Sequence, residues 1–171
     1  MELLFNEKIF SIFFLLNFVF YNSAIANNSI VFVDIDFLIQ NSTIGKSVLK
    51  KLENKDKENL QFLKDKEQII RKSENELKKK QNIISEEEFN KELNLLKSQV
   101  SNLKLEKDKM VKNFTEFKNK ELSSVIKSIN EVIQNYMKNN SVDVVLDKKN
   151  IYIGKNSSDI TSVILKNIEN K

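Results

Sequence analysis

Between positions 43 and 140 apolar residues return at helical intervals. Leu63, Ile70, Leu77 and Ile84 stand seven apart, while Phe89, Leu93, Leu96, Val100 and Leu103 alternate steps of four and three, the spacing of a coiled-coil seam. The second series is the richer. It continues through Met110, Phe114 and Phe117, then slips by 11 residues from Phe114 to Val125, a stutter that locally unwinds a left-handed supercoil. The region lacks proline, holds glycine only at Gly45, and carries Glu53–Lys57, Glu67–Arg71, Glu74–Lys78, Glu76–Lys80, Glu87–Lys91 and Glu116–Lys120 four apart in the order that favours a helix.

Midway lies KKKQNIISEEEF, Lys78 to Phe89. It fits either one straight helix or the meeting point of two. Ser85 and Glu88 have the spacing of a capping box, and Ile84 with Phe89 that of a hydrophobic staple around the same helix start. Three lysines stand where one helix would end and three glutamates where the next would begin, the signs that helix dipoles favour. Together these local contributions amount to roughly 2–4 kcal/mol, so the pattern predicts an antiparallel helical hairpin with its tip near 81–85. The first arm, 43–84, would be ~63 Å long and the second, 85–140, ~84 Å. The surplus of the second arm, 125–140, is apolar over a wide face and is expected to pack in a body.

Both ends predict that body. SIVFVDID, Ser29 to Asp36, alternates as a strand, with Val31, Val33 and Ile35 on one face. Asp36 is expected to cap a short turn within 27–42. At the other end, 141–171, Val142 to Leu146 and Ile151 to Ile153 predict a β-hairpin across Asp147-Lys148-Lys149-Asn150, followed by a terminal helix capped by Asp159 with Val163, Ile164 and Ile168 inward. The expected core or oligomer contacts are Val31, Val33, Ile129, Val132, Ile133, Tyr136, Val144, Leu146, Ile151 and Ile153. The fold class is therefore α+β, a long coiled-coil prong projecting from a small β-sheet body. So small a body gains from association.

The first 26 residues stand apart from this pattern. Ile9 to Tyr21 is apolar, followed by Asn22-Ser23 and then Ala24 and Ala26 at the positions a signal peptidase reads. The run is shorter than the ~20 residues that span a bilayer, so residues 1–26 are expected to be a cleaved export signal. A retained membrane anchor is the alternative. The leader's charge is atypical, since Glu2 and Glu7 oppose Lys8.

Charge adds a preference between the arms. Without 1–26 the chain has 27 basic and 22 acidic side chains, with 12 against 7 in the first arm and 10 against 9 in the second. A basic surface attracts nucleic acid, anionic lipid or acidic polypeptide. However, every basic residue but Arg71 is lysine, and without arginine forks no specific nucleic-acid readout is expected. A merely solvated lysine-rich face explains the same residues. The sequence has no cysteine, no histidine and two glycines, which excludes disulfides, Ser-His-Asp and Cys-His chemistry, nearly every zinc or transition-metal site and a phosphate loop. No cofactor, metal or catalytic residue is assigned, and the expected class is not an enzyme.

With these elements in place the chain resembles the Skp/OmpH-like periplasmic chaperone family. The resemblance rests on IVFVDIDFLIQNSTIGKSVLKKL, with Asp34, Gly45 and Lys46, and on VDVVLDKKNIYIGKNSSDITSVILKNI, with Asp143, Leu146, Asp147 and Asp159-Ile160-Thr161; it spans Ser29 to Ile168. It implies a homotrimer whose hairpins surround a cavity that holds unfolded outer-membrane proteins without ATP in the Gram-negative periplasm. Candidates for client contact are then Phe62 and Ile69 on the first arm and Leu95, Leu105 and Val111 on the second, with Lys78, Lys79 and Lys80 at the tip. Alternatively those apolar residues only widen the seam, and the protein is a structural coiled coil of the cell envelope. The scarcity of arginine departs from the family, and no lipopolysaccharide site is assigned.

Overall fold

A computed structural model describes residues 29–170; the expected export signal and its Ala24 and Ala26 lie outside them. Strand β1 (Ile30–Val33) leads into helix α1 (Ile35–Asn41), whose cap is Asp34 and not Asp36: its carboxylate accepts from the Phe37 N–H at 2.8 Å. The strand is thus shorter than the alternation suggested, because Asp34 is drawn into the helix start. Helix α2 (Thr43–Lys80) and helix α3 (Glu86–Asn140) follow, then strand β2 (Val144–Asp147), short 3-10 turns at Lys148–Asn150 and Asn156–Ser158, and helix α4 (Thr161–Glu169).

The corner between α1 and α2 is tight. Buried Ser42 donates its N–H to the Leu38 carbonyl at 2.9 Å, and its hydroxyl accepts from Gly45 N–H at 3.2 Å. At Gly45 an added Cβ would overlap the Ile39 carbonyl oxygen, so the helix can leave this corner only with a residue that lacks a side chain. A second clamp comes from the far end of the chain: the Glu169 carboxylate accepts from both the N–H (2.7 Å) and the hydroxyl (2.5 Å) of Thr43. A negative charge at a helix N-terminus is favourable. Those two bonds hold the Glu169 carboxyl below its ordinary range.

Strands β1 and β2 pair in parallel, Ile30 with Val144 through Val33 with Asp147. The opposite edge of β1 receives the segment before α4, through a Phe32–Asp159 bridge and an Ile160 N–H to Phe32 carbonyl bond of 3.0 Å. This corrects the expected β-hairpin. Among the described residues β2 has no second strand, and Ile151–Ile153 forms none: Ile153 is 85% and Tyr152 fully exposed. Strand propensity reflects packing against neighbours, and this segment finds no neighbouring strand among the described residues.

The core joins both ends of the sequence to the end of the long helix. Leu38, Ile129 and Ile164 are fully buried, Val33 nearly so, and Val31, Val48, Leu52, Val125, Val132, Ile133, Val142, Ile160 and Ile168 complete the cluster. Burying each such side chain contributes roughly 1.5–3 kcal/mol. Thr161 ties the pieces together with hydrogen bonds, accepting from Asp34 N–H at 2.9 Å while its hydroxyl donates to Asp159 at 2.6 Å. Asp159 also accepts from the Thr161 N–H at 3.0 Å, so it acts at the start of α4 although the residue immediately before the helix is Ile160.

Candidate functional site

Away from this core the described residues form a prong of two helices. Helix α2 has 38 residues and α3 has 55, so the arms extend ~57 and ~82 Å. Between them the chain turns at 81–85, where the Ile83 and Ile84 N–H groups bond the Lys80 carbonyl at 2.8 and 3.1 Å. Ser85 caps α3, accepting from Glu88 N–H at 3.3 Å. The basic last turn of α2 and the acidic first turn of α3 suit the helix dipoles.

Three ion pairs cross between the arms: Lys51–Glu121 at 3.3 Å, Lys66–Glu106 at 3.5 Å and Lys80–Glu92 at 2.8 Å. Each places lysine on α2 and glutamate on α3, and in each the two residue numbers add to 172. They mark one register. The same rule matches Ser73 with Gln99, and both residues line one cavity. Along the neighbouring column Leu77 and Leu96 line that cavity together, and Ile70 and Leu103 line the next. One side of the seam is therefore apolar and the other polar. Val100, expected in the seam, is 51% exposed, and Gln99 takes the inward position. Nothing in the local spacing distinguishes the two, because an apolar residue at a permitted heptad step outweighs a polar one until the partner arm fixes the rotation.

The sequence-derived client candidates stand outside the seam. Phe62, Ile69, Leu95, Leu105 and Val111 are all exposed, three of them by 60% or more. Leu60, Val100 and the tip residue Ile83 belong with them. Val100 reads as seam because it matches the heptad, while Leu60 and Ile83 lie off it as the named candidates do, and the fixed seam adds all three. Leu60 and Phe62 line one shallow groove on α2 with Lys57, Gln61 and Lys64. Phe62 also receives the Lys66 ammonium over its ring, 5.2 Å from the centroid.

The three tip lysines are not equivalent. Lys78 bonds Glu74 at 2.9 Å, which lowers the Glu74 pKa, and Lys80 bonds Glu92, which raises its own. The expected Glu76–Lys80 pair yields to that cross-arm bond, whereas Glu53–Lys57 forms at 2.6 Å. Of these three, Lys79 alone makes no ion pair among the described residues.

At the body a second surface presents apolar groups. Ile30, Val144 and Leu146 are 53, 42 and 39% exposed, and the register places Ile30 beside Val144 and Phe32 beside Leu146. Alternation puts these on the face opposite Val31 and Val33. Val31, Val33, Ile129, Val132 and Ile133 are buried as core, with Tyr136 and Ile151 half-buried; Val144, Leu146 and Ile153 are not core of the isolated chain. Among the described residues no cluster of acidic groups could hold a metal, and no helix is long and apolar enough to cross a membrane.

A comparison with curated proteins finds no match. Among solved structures, a Caulobacter crescentus CB15 protein described as an outer membrane chaperone (OmpH-like) superposes with a TM-score of 0.77 at 17% identity, over 83% of this chain and 84% of that one. At that identity the likeness is one of fold. The model of the family described as outer membrane protein (OmpH-like) matches residues 29–168. With the match covering both strands, the whole prong and nearly all of α4, this chain belongs to the OmpH-like outer membrane protein family.

Proposed function

We propose that the protein is an ATP-independent holdase of the periplasm, retaining unfolded outer-membrane proteins between prongs without turnover. The observation that carries this reading is the set of large apolar side chains, Phe62, Ile69, Leu95, Leu105 and Val111, left in water on a prong whose seam does not use them. Scattered exposed apolar residues offer many weak, displaceable contacts. Lysines, Lys79 above all, attract acidic segments over about a Debye length, ~8–10 Å.

One prong encloses nothing, so the reading includes association of bodies into a homotrimer. Support comes from the apolar outer face of the sheet and the free edge of β2, a combination that folded proteins normally cover. Anionic lipid is a further candidate partner for the lysines. No specific nucleic acid and no catalytic step is assigned.

The test is dilution of an unfolded β-barrel protein into stoichiometric amounts of the purified chain, read by light scattering. Suppressed aggregation is expected, and it should weaken when Phe62, Leu95 and Leu105 are changed together to serine. Undiminished aggregation with the unaltered chain would leave the structural coiled-coil reading. Mass measurement across a dilution series checks the association: a trimer is expected, and a stable monomer would remove the container.

A further inference from the structure

The prong is secured at both ends more firmly than in the middle. At its root Gly45, Val48, Leu52, Val125 and Ile129 are buried. Near its tip Leu77 is 5% exposed, the Lys80–Glu92 bond is 2.8 Å and the turn is closed by backbone bonds to Lys80. Between Leu52 and Leu77 on α2, and from Glu86 to Ser124 on α3, no side chain is buried.

That middle stretch also holds the poorest polar pairing. Gln99 turns a buried side-chain oxygen into the seam with no hydrogen-bond donor, and the buried Glu106 Oε2 lies 3.5 Å from the Lys66 ammonium without forming a hydrogen bond. A cavity of about 240 Å³ lies there, lined by Lys66, Ile70, Gln99, Leu103 and Glu106, and Gln99 also lines a second, of about 230 Å³, that reaches to Leu77 and Lys80 at the tip. A buried acceptor without a donor favours any rearrangement that admits water. Lys66 has an alternative contact ready in the Phe62 ring on its own helix. It can therefore leave Glu106 without becoming wholly uncompensated.

We propose that the two arms part first at mid-length, around Lys66, Gln99 and Glu106, while the tip stays clasped, so that the prong bows open and uncovers Ile70 and Leu103. This differs from the default for a helical hairpin, whose free end opens most readily and whose protection rises steadily towards the anchored end. It does not depend on the holdase reading, since it concerns the arms alone.

Amide hydrogen exchange on the purified chain, resolved by peptide, tests it. The expected profile has two maxima of exchange within the arms, at 59–73 and 99–113, with slower exchange both towards the body and at 74–80 and 90–97. Gln99→Leu, which removes the unpaired acceptor, should slow the mid-arm amides roughly tenfold. The pair Lys66→Met with Glu106→Leu should act in the same direction, leaving body amides unchanged. A profile that climbs steadily from root to tip would overturn the proposal, and so would unaltered mid-arm exchange in both variants.

Discussion

The body and the prong are built from the same long helix, yet they use it differently. Along 125–140 helix α3 presents Val125, Ile129, Val132 and Ile133 to a core filled from β1, α1, α2 and α4. Along 86–124 the same helix meets one partner, and one side of the seam is polar. The contrast shows how little a long helix needs in order to stand. Backbone bonds inside each helix and a single column of half-buried leucines and isoleucines keep the arms paired, whereas the position and angle of the pair are decided where the helix is surrounded.

Replacement of Ile129 by alanine should break the body: a fully buried isoleucine is worth about 2–5 kcal/mol in such a change, seen as a lower denaturation midpoint for the whole chain. Leu77→Ala, at the one buried position of the distal prong, should shift the same midpoint less and act mainly on local exchange. If the two shifts are equal, the distinction drawn between body and prong fails. Gly45→Ala sharpens it from the junction. Its Cβ collides with the Ile39 carbonyl, and overpacking of this kind costs about 1–3 kcal/mol; the body should loosen although the alanine itself favours helix.

Ser85→Ala removes the cap at the tip, a loss of about 1 kcal/mol. Faster exchange at 86–92 is expected with the body unchanged. The smallest effect is a dependence on pH. Because the folded chain holds Glu169 below its ordinary pKa through Thr43, its contribution is present above the usual carboxylate range and is lost as pH falls through the depressed value. Glu169→Gln should flatten that part of the stability–pH curve, measured from neutral to about pH 3 by denaturant titration. An unchanged slope would mean that this clamp does not reach the body.

Much of the prong was legible because its signals are local. Ser85, Glu88 and the flanking charges announce the turn, and Leu63, Ile70 and Leu77 set the pitch, all within a few residues of one another. The body was less legible. Parallel pairing of β1 with β2 joins residues 114 positions apart, as the Ser29 N–H to Asp143 bond illustrates, and Ile151–Ile153 has the composition of a strand without the neighbour that would make it one. The inward place of Gln99 was hidden for the same reason: rotation of one arm is decided by the other. The candidate client surface was readable as residues off the heptad, and its membership at Leu60, Val100 and Ile83 became clear only when the seam was fixed.

The lysine–glutamate ladder of the prong carries a geometric rule. Sliding one arm by a heptad would set Lys66 opposite Asn113 or Gln99, and Glu106 opposite Ser73 or Asn59, so no rung would survive the slip. Lengthening the prong is therefore a two-sided edit. Seven residues spliced into one arm alone would unmatch every rung on one side of the insertion, whereas seven in each arm at facing positions would extend the reach by ~10 Å and leave the pairing of the remainder as it was.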